Sequence, residues 1–70
     1  IAESDLYELS IYNVLGQQVR SLVRDHLSRG IYRMVWDARD EFGQPVGAGV
    51  YLYRLKSATE VITRKMLLLK

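Results

Sequence analysis

Apolar residues recur at every second position along most of this chain, in short runs broken by turn-forming residues. A repeat of two belongs to the β-strand, whose successive side chains point to opposite faces. In residues 6–13, Tyr7, Leu9 and Ile11 share one face and Glu8 and Ser10 the other, with Tyr12 out of step. The pattern predicts further strands over residues 17–23, 31–37, 50–56 and 61–69. In the third, Tyr32, Met34 and Trp36 alternate against Ile31 and Val35; in the fourth, Tyr51, Tyr53 and Leu55 alternate against Leu52, Arg54 and Lys56. The Lys, Met and Leu residues near the end also favour helix. Five short strands at even spacing still point to an all-β, immunoglobulin-like antiparallel sandwich. Its expected core is Leu9, Ile11, Val19, Tyr32, Trp36, Tyr51, Tyr53 and Leu55.

The punctuation supports this reading. Asn13-Val14-Leu15-Gly16 reads as a turn, with the Asn side chain bonding the backbone ahead and Gly16 taking a positive φ. Residues 24–29 read as a polar link closed by Gly30, and residues 57–60 as another turn. Residues 37–49 form the longest loop, with Pro45, Gly43, Gly47 and Gly49.

Seventy residues allow one domain, and a chain this short buries only about 60% of its unfolded surface. No cysteine is present to staple it. Ten basic against eight acidic residues, scattered along the chain, argue against nucleic acid as a partner. No apolar run approaches the roughly 20 residues of a membrane-spanning helix. No signal peptide opens the sequence, so Ile1 reads as an internal start and any export signal lies upstream.

The chemically suggestive residues favour structural roles. Asp37, Asp40 and Glu41 follow Trp36 without the spacing of a calcium loop. Asp37 and Asp40 suit the capping of turn N–H groups, and Gly43 a positive φ. The run Gly47-Ala48-Gly49 precedes a strand, whereas a phosphate loop precedes a helix. His26 is the only histidine, in a polar stretch, and no carboxylate pair stands out. The reading is therefore no enzyme, no metal and no cofactor. One tryptophan and five tyrosines could stack on sugar or nucleic acid, but at alternating strand positions they suit a core.

Several runs resemble two related families. Ile11-Tyr12-Asn13-Val14-Leu15-Gly16-Gln17-Gln18-Val19 is similar to the V-Y-D-x-x-G-R-x-V hairpin found in both the C-terminal sorting domain of type IX secretion cargo and the Ig-like domain of the flagellar hook-capping protein. The stretch from Gly30 through Trp36, Asp37, Asp40 and Gly43 resembles the G-x-x-x-x-x-W-D-G-x-D-x-x-G of the hook-cap type, with Ala38 in place of the glycine after Trp-Asp. The run from Gly49 through Tyr51 to Leu55 matches the shared G-V-Y-x-Y-x-L strand. The ending Arg64, Lys65, Met66, Leu67, Leu68, Leu69, Lys70 is similar to the K-K-M-V-L-L-K close of secretion cargo.

The resemblance implies a single Ig-like C-terminal module over residues 1–70, cut from a larger protein and short of the family's first strand. It implies a non-catalytic signal, carried by Arg64 to Lys70, that brings an exported protein through the periplasm to the surface of a Gram-negative-type bacterium. The partners would be the secretion machinery, an upstream passenger or neighbouring subunits. The alternatives are an Ig-like subunit or cap of an extracellular filament, and an ancillary carbohydrate-binding module of a hydrolase. An open sheet edge would be completed by strand addition from the same protein or a second copy, with residues 1–5 a weak candidate donor.

Overall fold

The computed structural model describes Ile1 and residues 3–69. Four strands form: β1 (Asp5–Asn13), β2 (Gln18–Leu27), β3 (Gly49–Lys56) and β4 (Val61–Leu68). They make one antiparallel sheet in the order β2-β1-β3-β4. Two hairpins, β1–β2 and β3–β4, are thus joined side by side through β1 and β3. Residues 28–48 cross between them. The all-β, immunoglobulin-like class holds; the described residues supply one sheet, and residues 31–36 lie in no strand, with Tyr32 and Met34 lining a cavity beside the sheet residues.

Two expectations change. The polar link over residues 24–29 is strand as far as Leu27, because Asp5–Glu8 give it partners: Glu8 faces Arg24 and Asp5 faces Leu27. His26 therefore lies on β2, exposed, and not in a loop. Conversely, residues 31–37 carry a strand's alternation but lie in no ladder. Side-chain alternation selects a face; a strand also needs a neighbour to take its N–H and C=O groups. No described residue supplies one. The final strand ends at Leu68, and Lys70 lies outside the described residues.

One face of the sheet carries Leu9 and Ile11 of β1, Tyr53 and Leu55 of β3, and Ile62 and Met66 of β4, in mutual register. Ile11 is the best buried side chain, 2% exposed. Tyr7, on the same face, is 4% exposed and donates its hydroxyl proton to the Glu3 carbonyl at 2.8 Å. Burial pushes the Tyr7 phenol above its ordinary pKa, and the carboxylates of Glu60, Asp5 and Glu3 add to the rise. Val19, Trp36, Tyr51 and Leu9 are only half-buried, and Tyr32 is exposed. The core centres on β1, one of the two inner strands of the sheet, which carries Tyr7, Ser10 and Ile11, the buried residues among those described.

The other face is mixed. Arg24 meets Glu8 at 3.4 Å, and the Arg54 guanidinium stands 5.2 Å from the Tyr12 ring centre. Ser10 is buried there as well, which the alternation alone did not suggest.

Candidate docking site

The β1–β2 ladder contains two irregularities. Leu9 faces Val23 and Ser10 faces Ser21, so Leu22 is an extra residue; Ile11 faces Arg20 and Tyr12 faces Gln18, so Val19 is another. A β-bulge places two residues against one and re-aims side chains. Here the first bulge lets Leu22 and Val23 both line the same concavity.

That concavity is an apolar cavity of about 430 Å³. Its floor is the sheet face: Leu9, Ile11, Val23, Tyr53, Leu55 and Met66. Its far wall is Tyr32 and Met34, with Ile1 at one end. The lining side chains are aliphatic, methionine or tyrosine. Such a volume falls in the range of small-ligand clefts, about 300–1,000 Å³, but those add placed polar groups for orientation. A finished protein interior leaves few voids larger than a water molecule. The chemistry suits packing against another apolar surface.

Two turns near this layer are built alike. In Asn13–Gln17 the Asn13 side-chain oxygen accepts from Leu15 N and Gln17 N, both at 3.0 Å, and Gly16 N donates to Asn13 O. In residues 40–44 the Asp40 carboxylate accepts from Phe42 N at 2.9 Å and Gln44 N at 3.0 Å, and Gly43 N donates to Asp40 O. Gly16 and Gly43 have φ of 81° and 78°, so both turns share one left-handed glycine position. The shared pattern Asn/Asp-x-x-Gly-Gln is visible in the sequence.

The loop carrying the second turn docks on the outer edge of β2. Glu41 N donates to Val19 O at 3.1 Å, and the Glu41 carboxylate accepts from Ser21 N. Arg20 Nη1 reaches Asp37 Oδ1 at 3.0 Å and the Arg39 carbonyl at 3.2 Å. Asp37 also accepts from Arg39 N, and Ala38 between them has φ of 61°. Trp36 meets Tyr51 edge to face, centroids 5.2 Å apart, and donates Nε1–H to Arg39 O at 2.9 Å. Tyr51 donates its hydroxyl proton to Gly47 O at 2.7 Å, just before Gly49 begins β3. Trp36, Asp37, Asp40, Gly43, Gly49 and Tyr51 are thus brought together at one end of the sheet, where they hold the long loop. Asn13 and Gly16 stand at the β1–β2 turn.

The suggested signal residues behave differently. Arg64, Lys65, Met66, Leu67 and Leu68 lie on β4, whose outer edge has no neighbour among the described residues. Met66 points into the cavity, while Leu67 and Leu69 are exposed. Lys70 lies outside the described residues. The sequence reading missed Leu22 and Leu27 of the cavity; Leu22 is out of phase with its strand because of the bulge, which alternation cannot reveal.

Among the described residues, no group of three or more His, Asp or Glu side chains is placed to hold a metal ion. No curated protein and no solved structure matches the chain. The family model of the FlgD Ig-like domain matches residues 2–60. That match takes in the Asn13 and Asp40 turns, the Trp36 loop and β1 to β3, and on this ground the chain belongs to the FlgD Ig-like domain family.

Proposed function

We propose that this domain is a non-catalytic structural module that holds an exported bacterial protein in an extracellular assembly, in the manner of a hook-cap Ig-like domain. The observation that carries this reading is the family match over residues 2–60. The site agrees in character: its surfaces are an apolar cavity and a bare strand edge, which bind other polypeptide by packing and strand pairing. Neighbouring subunits are the proposed partners, and the outside of the cell the proposed location.

A second reading is favoured by one observation. Residues 61–70 lie beyond the family match, and there Leu67 of β4 and Leu69 just past its end stand on the surface next to the bare edge of β4. This suits a recognition strand for type IX secretion. One experiment separates the two. The protein carrying the domain is expressed in its own host without residues 1–70, or with Leu67→Asp and Leu69→Asp together, and cell fractions are assayed. The assembly reading expects the deletion to leave export intact and abolish incorporation into the surface structure. The sorting reading expects both versions to stall in the periplasm. Incorporation unchanged by the deletion would sink the assembly reading.

A further inference from the structure

The sheet has two outer strands, and their edges differ. On β2, the Val19 carbonyl accepts from Glu41 N at 3.1 Å and the Ser21 N–H donates to the Glu41 carboxylate. One loop residue thus occupies groups that a further strand would use. Beyond it, Arg24, Asp25 and His26 line the edge with exposed polar side chains. On β4, no described segment lies alongside.

The β3–β4 turn sets which groups of β4 face outward. Ser57 N donates to Glu60 O at 2.8 Å, just beyond the Lys56–Val61 pair. Bonded and non-bonded pairs alternate along an antiparallel ladder. Ile62, Arg64 and Met66, opposite Leu55, Tyr53 and Tyr51, therefore turn their N–H and C=O groups toward β3. Those of Val61, Thr63, Lys65 and Leu67 point away from the sheet. The Thr63 carbonyl agrees with this phase: its contact is the Arg64 guanidinium at 3.4 Å.

Charge narrows what can pair there. Arg64 and Lys65 stand in the middle of the edge on opposite faces, both exposed. The ion pairs among the described residues are Arg20–Asp37 and Arg24–Glu8, so neither cation has a carboxylate. Residues 49–69 hold Arg54, Lys56, Arg64 and Lys65 against the single acid Glu60. Two copies pairing β4 to β4 along its length would set Lys65 against Lys65, or Arg64 against Arg64 one step along. Like charges directly opposite are destabilising, and opposite charges are favourable.

We propose that the outer edge of β4 takes up an extended acidic segment of a partner protein as a fifth strand, antiparallel to β4, with two adjacent acidic side chains opposite Arg64 and Lys65. Adjacent residues of a strand point to opposite faces, so the two acids meet one cation on each face. The outward N–H and C=O groups supply the affinity, and the two cations select the sequence. This rests on the reading of the bare edge as a pairing surface. Binding in solution decides it and cell fractionation decides the biological role, so either can fail without the other.

The test titrates the 70-residue chain with Thr-Val-Thr-Glu-Glu-Thr-Val-Thr and, separately, with Thr-Val-Thr-Lys-Lys-Thr-Val-Thr, followed by NMR. The acidic peptide should slow amide exchange at Thr63, Lys65 and Leu67 and leave Ile62, Arg64 and Met66, already bonded to β3, unchanged. It should bind on the order of tenfold more tightly than the basic peptide at low salt, with the gap closing as salt is added. Arg64→Glu and Lys65→Glu together should reverse the preference; the two peptides on the unaltered chain decide the matter even where that variant does not fold. No slowing at Thr63, Lys65 and Leu67, or equal binding of the two peptides, overturns the proposal. Slowing at those amides without peptide that grows with protein concentration overturns the acidic occupant and assigns the edge to a second copy.

Discussion

Residues 31–36 and β3 are written in nearly the same pattern and end in different states. In β3, Tyr51, Tyr53 and Leu55 alternate as Tyr32, Met34 and Trp36 do in the crossing segment. β3 lies between β1 and β4, with Leu9 opposite Leu55 on one side and Ile62 opposite it on the other. Residues 31–36 have no such neighbour among the described residues, and Val35 is 80% exposed. Alternation states which side chains prefer a dry face; it is silent about whether a second strand arrives to make that face dry. A strand belongs to a pair.

Two truncations on the two sides of the cavity test this contrast most strongly. Ile11 lies opposite Tyr53 on the face β3 shares with β1. Ile11→Ala should cost about 2–5 kcal/mol, a large part of the stability of a domain this small. Met34, 40% exposed across the cavity, should cost under about 1 kcal/mol when changed to Ala. Urea denaturation of the two variants measures both. Equal losses would show that residues 31–36 are packed as tightly as β3 and would break the comparison.

The same contrast explains what could be read from the residues alone. Turns are local: Asn13 with Gly16, and Asp40 with Gly43, need only their own few residues, and the pattern that announces them is also what bonds them. Strands β1, β3 and β4 were legible because their alternation is strong and each finds a partner in the chain. The second half of β2 was not, since Arg24, Asp25 and His26 look like a solvated link and become strand only through pairing with Leu6–Glu8. The cavity was half legible. Tyr53, Leu55 and Met66 follow from period two, but Leu22 depends on a bulge and Ile1 on a contact with a residue 29 positions away.

Trp36 is where the two regions touch, and its truncation ranks next. A fully buried tryptophan would lose about 3–5 kcal/mol on change to Ala. Here the ring is half-buried, resting edge-on against Tyr51 and bonded through Nε1 to Arg39 O. Trp36→Ala should therefore cost about 2 kcal/mol, and Trp36→Phe should recover most of it by keeping the ring contact. Thermal melts of the two variants decide the matter. A Trp36→Phe variant as weak as the alanine would move the weight from the ring contact with β3 to the indole N–H on the loop.

The smallest effect belongs to the residue where the unpaired segment gives way to the anchored loop. Ala38 has φ of 61°, a left-handed conformation that costs a non-glycine residue about 1–2 kcal/mol. The surroundings hold it there: Asp37 bonds Arg39 N and Arg20 on one side, and Ala38 O accepts from Val46 N at 3.0 Å on the other. Ala38→Gly removes the steric cost but adds freedom to the unfolded chain, worth about 0.4–1 kcal/mol in the opposite direction. The net expectation is a gain of about 0.5 kcal/mol, read as a small rise in the denaturation midpoint with an unchanged slope. A loss on Ala38→Gly would mean that the loop does not hold residue 38 left-handed. The loop's grip on β2 would then be as loose as the unpaired residues 31–36, and the boundary between the anchored and unpaired regions would move past Asp37.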